Sequence, residues 1–138
     1  MIALDHTIVR VSDLVESVAF YVTVLGFQHL GWAAPFHVIR VNESLTLDLM
    51  HENPADRGHL AFSMDRATFD ALHDRLIQAN IPFGGQPFER QAGPPGKALG
   101  AKGTADALYF FDPSGHNLEI RTYQEPSHAD PDTADHFQ

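Results

Sequence analysis

Four ionisable side chains on predicted strands have the types and positions needed to bind a divalent metal ion. His6 lies at the start of the first predicted strand, directly after Asp5, and His59 begins a later strand. Asp48 and Glu119 each lie between two apolar strand residues. Because side chains alternate across a strand, the apolar neighbours are expected to face the core and the carboxylates the opposite side. Two imidazoles with one or two carboxylates suit Fe, Mn, Ni or Zn as divalent ions, and such an ion acts as a Lewis acid with positions open for substrate.

The segment around Glu119 is predicted to form a β-hairpin. Residues 112–121 read Asp-Pro-Ser-Gly-His-Asn-Leu-Glu-Ile-Arg. Pro-Ser-Gly is typical of a turn, so the strand predicted over Ala107–Phe111 folds back into a second strand that carries Glu119 and Arg121 on one face. Tyr109 lies ten residues before Glu119, and we expect it on the same side of the hairpin.

The elements that position these residues form a repeat. Asp13 is predicted to cap a helix, with Glu16 completing a capping box, and Gly26 ends that helix. Asp65 caps a second helix, which ends at Asn80 and Pro82. Strands are predicted over residues 5–11, 27–33, 37–41, 44–51, 59–64 and, weakly, 83–89, and a Gly- and Pro-rich loop over residues 91–104 precedes the closing hairpin.

Each half of the chain therefore runs strand, capped helix and three strands, with a period of about 53 residues. One half cannot easily bury its own sheet face, so the two halves are expected to pair, with helices outside and polar sheet faces around a shared cavity. We predict an α+β fold in a single domain over residues 1–123, with modules at about residues 3–52 and 58–123. Residues 124–138 are polar and acidic and are predicted to form a mobile tail.

Composition limits the possible partners. The chain has 138 residues and a formal net charge of −9, which argues against nucleic acid, whose phosphates require a basic surface. It has no Cys, which excludes disulfides and thiolate sites and is compatible with a reducing compartment, so we expect a cytoplasmic protein. The sequence contains no run of about 18 apolar residues, so no membrane span is predicted. A small molecule is the expected ligand.

The motifs described above identify a resemblance to a known family. The start His-Thr-Ile-Val-Arg-Val at residues 6–11, the helix end that runs from Phe20-Tyr21 to Leu25-Gly26-Phe27, the strand His-Leu-Ala-Phe at 59–62 and the closing motif at 111–119 resemble the vicinal oxygen chelate superfamily of glyoxalases, bleomycin resistance proteins and extradiol dioxygenases. The resemblance covers roughly residues 3–123. It implies two βαβββ modules that form an incomplete β-barrel around a metal-binding cavity, usually in a homodimer.

The resemblance also implies roles for individual residues. It implies one divalent metal ion bound by His6, His59 and Glu119, with Asp48 at a position where some relatives carry a fourth ligand. Tyr109 resembles an active-site tyrosine that orients substrate or donates a proton. Arg121, on the face of Glu119, is expected to contact an anionic substrate, and Asp48 is the other candidate substrate contact. His116, in the turn, is expected to be structural.

Alternatives remain open at the level of the sequence. The fold hosts isomerisation, epimerisation, ring cleavage and epoxide opening. Ring-cleaving relatives carry a further cavity histidine, and only His73 lies between His59 and His116. The sequence therefore predicts a metal-dependent enzyme of lyase, isomerase or dioxygenase type that acts on a small oxygenated substrate. The rival is a metal-free protein that sequesters a small molecule or antibiotic, a class that usually lacks the His-His-Glu set.

Overall fold

The computed structural model describes residues 1–126, which form two helices and two sheets. Most of the predicted tail therefore lies outside the described residues. The first sheet has the strand order β1-β4-β3-β2, and the second has the order β5-β9-β8-β6, with β7 paired to β8. The predicted α+β class is confirmed. The elements are β1 (His6–Val11), α1 (Leu14–Thr23), β2 (Gln28–Ala33), β3 (Phe36–Asn42), β4 (Leu45–His51), β5 (His59–Ser63), α2 (Arg66–Gln78), β6 (Phe83–Gly84), β7 (Gly96–Gly100), β8 (Gly103–Phe111) and β9 (Asn117–Thr122).

The chain divides into two compact units. Unit one comprises Met1–Leu60 with Phe110–Leu118, and unit two comprises Ala61–Tyr109 with the described residues 119–126. No helix among residues 1–126 is both long and apolar enough to cross a membrane.

In unit one, the alternation of the strands separates a buried face from a polar face. Strand β1 pairs with β4 in parallel, so that Val9 lies opposite Leu49 and Ile8 opposite Asp48. Val9 and Leu49 are buried, and β4 contacts α1, whereas Asp48 lies on the other face of the sheet. Helix α1 begins where Asp13 accepts a hydrogen bond from the Glu16 N–H at 2.9 Å. The first sheet therefore presents His6 and Asp48 on the face that α1 does not cover.

The turn between β8 and β9 is built around the buried carboxylate of Asp112. One carboxylate oxygen accepts the backbone N–H groups of Ser114 and His116 at 2.9 and 2.8 Å. The other accepts the hydroxyl of Tyr21, on α1, at 2.7 Å. The Ser114 hydroxyl in turn accepts the backbone N–H of Ser12 at 3.0 Å. Asp112 therefore fixes the turn and attaches it to α1, while Ser114 attaches it to the end of β1.

Unit two contains a strand that the sequence did not predict. Residues 96–100 form β7 within the predicted loop, and the predicted strand at 83–89 is reduced to two residues. Strand β7 pairs with β8 so that Gly100 lies opposite Gly103. A side chain at Gly96 would clash with the Gly85 carbonyl at 1.9 Å. Glycine thus permits the close backbone approach here, although the same residues suggest a loop when only the sequence is considered.

Asp106 on β8 connects three elements of unit two. Its carboxylate accepts hydrogen bonds from Lys97 of β7 and, at 2.7 Å, from Arg66 at the start of α2. Burial favours the neutral carboxyl, but the hydrogen bonds from Lys97 and Arg66 outweigh it and hold the pKa of Asp106 below its ordinary value. The ionised carboxylate therefore links β7, β8 and α2 through two ion pairs.

Removing the Asp112 carboxylate should destabilise the protein more than removing one of its partners. Asp112→Ala leaves three donors without an acceptor, so we expect the free energy of unfolding to fall by about 3–5 kcal/mol. Tyr21→Phe removes a single hydrogen bond to a charged group and should cost about 1.5–3 kcal/mol. Urea denaturation of both variants measures the difference. Equal losses would show that the turn does not depend on Asp112.

The ion pairs of Asp106 should make the free energy of unfolding depend on pH. Because its pKa is depressed in the folded state, its stabilisation is present above the ordinary pKa and is lost as pH falls through the folded value. We expect Asp106→Asn to cost about 1–3 kcal/mol at neutral pH and to lose less stability than the parent protein below about pH 4. Urea denaturation over a pH series tests this, and parallel pH curves for the two proteins would contradict it.

Candidate metal centre

Both predicted histidine ligands are oriented through their Nδ1 atoms. The Nδ1 of His59 lies 2.8 Å from the carbonyl oxygen of Asn117. A carbonyl oxygen can only accept, so Nδ1 carries the proton and the neutral ring has its lone pair on Nε2. The Nδ1 of His6 lies 2.7 Å from a carboxylate oxygen of Asp5, which sets the same tautomer. This arrangement is the usual one for histidines that ligate a metal through Nε2.

His6 and Asp48 are neighbours on the polar face of the first sheet. The pKa of His6 is raised by its hydrogen bond to Asp5 and, next, by the negative charge of Asp48. Asp48 is half-buried, and one of its oxygens accepts the hydroxyl of Thr46 at 3.1 Å. The structure thus brings these two predicted site residues together in unit one.

His116 fixes the backbone next to His59. Its Nδ1 accepts the Gly58 N–H at 2.8 Å, and its Nε2 donates to the Arg10 carbonyl at 2.7 Å. The Asn117 N–H donates to the Gly58 carbonyl at 2.9 Å. Both ring nitrogens of His116 are therefore used within the fold, which agrees with the structural role expected from the sequence.

A cavity of about 190 Å³ in unit one is lined in part by His59. Its wall combines β1, the segment before β5 and the start of β5. The lining residues are Thr7, Ile8, Val9, Arg10, Asp56, Gly58, His59, Leu60 and His116.

In unit two, Glu119 is a buried carboxylate with two hydrogen-bond donors. Arg121 donates from Nη1 to its Oε2 at 2.6 Å, and the Tyr109 hydroxyl also hydrogen-bonds to Glu119. Burial raises the pKa of Tyr109, and the charge and hydrogen bond of Glu119 raise it further. Tyr109 therefore remains a protonated phenol at neutral pH. The three predicted residues Tyr109, Glu119 and Arg121 form one contiguous group.

Arg121 is engaged within unit two. Its Nη2 donates to the Ala98 carbonyl at 3.0 Å, and its guanidinium lies over the ring of Tyr123 at 5.1 Å. The alternation of Glu119 and Arg121 on one strand face predicted their proximity. The contact with Ala98 joins β9 to β7, while Tyr123 directly follows β9. No local pattern in the sequence signals either contact.

Within residues 1–126, no three or more His, Asp or Glu side chains are grouped so that they could hold a metal ion. The ligand set His6, His59 and Glu119 therefore stays a prediction, as do the substrate contacts predicted for Asp48 and Arg121.

A family model matches most of the chain. Residues 3–120 match the model of the Glyoxalase/Bleomycin resistance protein/Dioxygenase superfamily, and the chain belongs to this superfamily. The resemblance stated from the sequence is thus confirmed.

Relatives of the chain include named enzymes. It is 30% identical to the metallothiol transferase FosB of Lysinibacillus sphaericus (strain C3-41), an alignment that covers 87% of this chain and 82% of the relative. It is 28% identical to the glutathione transferase FosA of Serratia marcescens, over 86% and 79% of the two chains. Among solved structures, the oxidase ChaP-H2 has a TM-score of 0.77 at 30% identity, over 91% of this chain and 97% of that one.

The contact between Tyr109 and Glu119 can be tested by its contribution to stability. Tyr109→Phe removes a buried hydrogen bond to a charged group, so we expect the metal-free protein to lose about 1.5–3 kcal/mol of unfolding free energy. Tyr123→Phe is a comparison variant, because the hydroxyl of half-buried Tyr123 accepts the Lys102 N–H and also hydrogen-bonds Arg121 but does not contact a carboxylate, and it should contribute less. Chemical denaturation measures both, and an equal or larger loss for Tyr123→Phe would contradict this interpretation.

Proposed function

We propose that the protein is a divalent-metal-dependent enzyme that acts on a small oxygenated substrate. The observation that carries the proposal is the shared orientation of His6 and His59, each with Nδ1 bound to an oxygen acceptor. Nε2 is the nitrogen proposed to ligate the ion. Glu119 would supply the carboxylate ligand.

The residues fit such an ion chemically. Two imidazole nitrogens and a carboxylate suit Fe, Mn, Ni or Zn. A carboxylate has about four lone-pair positions, so a carboxylate that accepts hydrogen bonds can also bind an ion. A bound divalent ion would polarise an oxygen of the substrate and stabilise negative charge on it. Asp48 is proposed as a further contact, either to the substrate or to the ion.

Tyr109 is the proposed hydrogen-bond and proton donor. Its raised pKa keeps the phenol protonated at neutral pH, so it can donate to a substrate oxygen that gains negative charge. Its contact with Glu119 places this donor beside a proposed ligand. Arg121 is retained as a proposed contact for an anionic substrate, in competition with its bond to Glu119.

Lyase, isomerase and dioxygenase reactions form the proposed range of chemistry. The similarity to FosB and FosA favours thiol transfer as a second candidate. In that reaction the sulfur of a thiolate would bond to a substrate carbon as a C–O bond breaks, and the oxygen would keep the electron pair and take a proton. Thiol consumption supports this candidate, and oxygen consumption supports dioxygenase chemistry.

We also propose that the protein is a cytoplasmic homodimer. Val15 and Trp32, in unit one, are 83% and 58% exposed, and large apolar side chains at the surface favour association. The absence of Cys is compatible with a reducing compartment.

The metal proposal predicts a stoichiometric ion that depends on three side chains. Protein purified without chelator or affinity metal should contain close to one divalent ion per chain by elemental analysis. His6→Ala, His59→Ala and Glu119→Gln should each weaken binding by about 10-fold or more, because the first two remove an imidazole donor and the third replaces a charged carboxylate by a neutral amide. His51→Ala and Glu43→Gln make the same chemical changes at exposed positions and should retain the ion.

Two results would contradict the metal proposal. Failure to bind any divalent ion, even on reconstitution, would favour the metal-free sequestering protein. Full occupancy in all three ligand variants would place the ion elsewhere.

A further inference from the structure

We propose that Arg121 is a positioning residue for Glu119 and that Gly100 provides the space that Arg121 needs. This inference rests on the proposed function, since it takes Glu119 to be a metal ligand. The β7–β8 turn, Gly100 to Gly103, would then help to orient Glu119.

The guanidinium of Arg121 joins the Glu119 carboxylate to β7 and β8, the two strands that this turn connects. Nη1 donates to Glu119 at 2.6 Å, while Nη2 donates to the carbonyl oxygens of Ala98 at 3.0 Å and Gly103 at 3.4 Å. Both charged side chains are about 6% exposed. One rigid planar group thus connects a buried carboxylate to the backbone at two points.

Burial makes this connection energetically important. A buried carboxylate without a partner carries a large desolvation cost, and the opposite charge of Arg121 offsets it. Because Glu119 is already held in one conformation, binding of a metal ion would cost little additional conformational entropy of this side chain. Partners of ligating residues commonly alter metal affinity by about 10- to 100-fold.

Gly100 is needed for space rather than for its backbone conformation. Its φ lies outside the left-handed region. A Cβ at this position would lie 2.3 Å from Nη2 and 2.5 Å from Cζ of Arg121, and 2.9 Å from the Tyr123 hydroxyl. Any side chain at Gly100 must therefore displace the guanidinium from the turn. Gly100→Ala disturbs the position of Arg121 while leaving its charge in place.

The test is a titration with Mn²⁺, followed by the loss of the free-ion signal in electron paramagnetic resonance. Mn²⁺ binds most weakly among the candidate ions, which keeps a change in affinity measurable. Arg121→Met and Gly100→Ala should each weaken Mn²⁺ binding by about 10- to 100-fold. Arg121→Lys should not restore it, because an ammonium group cannot bridge Glu119 and the turn.

Two further variants separate geometry from charge. Lys102→Ala removes a positive charge from the same turn without altering the Arg121 contacts, and it should bind Mn²⁺ like the parent protein. The double variant Gly100→Ala/Arg121→Met should bind no more weakly than Arg121→Met, since both changes act through one guanidinium. Additive losses would overturn the role of Gly100.

Glu119→Gln distinguishes failure of this inference from failure of the proposed function. If Glu119→Gln loses Mn²⁺ while Arg121→Met and Gly100→Ala keep the parent affinity, the ligand assignment stands and the positioning role is wrong. If Glu119→Gln binds like the parent protein, both fail. Circular dichroism verifies folding, and Gly100→Ala keeps the test decisive if Arg121→Met does not fold.

Discussion

The buried carboxylate of Asp112 is the interaction on which the order of unit one depends. It gathers two backbone N–H groups of the turn and the hydroxyl of Tyr21, so that the turn is attached to the helix of the same unit. The turn then places His116, which holds the Gly58 N–H, and Asn117, whose carbonyl orients His59. A structural carboxylate thereby fixes the turn whose carbonyl orients His59, one of the proposed ligands.

The same principle recurs at the other proposed ligands. His6 is oriented by a carboxylate, and Glu119 by a guanidinium and a phenol. Each proposed donor is thus held by a partner that is not itself a proposed ligand of the ion. Such support fixes tautomers and rotamers before any ion binds, which lowers the cost of ordering the ligands when it does.

Local patterns in the sequence predicted the features that depend on alternation and capping. The opposite faces of Leu47 and Asp48, the caps Asp13 and Asp65, and the turn at Pro113 follow from neighbouring residues alone, and the structure contains them. The strand at residues 96–100 was missed, because its glycines are required by contacts with the distant residues 85 and 121.

The candidate site shows the same limit. Residue types and strand faces identified Glu119, Arg121 and Tyr109 as neighbours, but the bonds that connect Arg121 to Ala98 and Gly103 depend on tertiary packing. The tautomers of His6 and His59 also depend on partners, and the carbonyl that sets His59 is 58 residues away in sequence. The metal ligands themselves are proposed from residue type, orientation and family membership.

A crystal structure of the protein with Zn²⁺, with anomalous scattering measured at the zinc absorption edge, tests the central claim most directly. We predict a single strong site with zinc at about 2.0–2.2 Å from the Nε2 atoms of His6 and His59 and from a carboxylate oxygen of Glu119. Zinc bound through Nδ1 of either histidine, or located away from these three residues, would contradict the proposed centre.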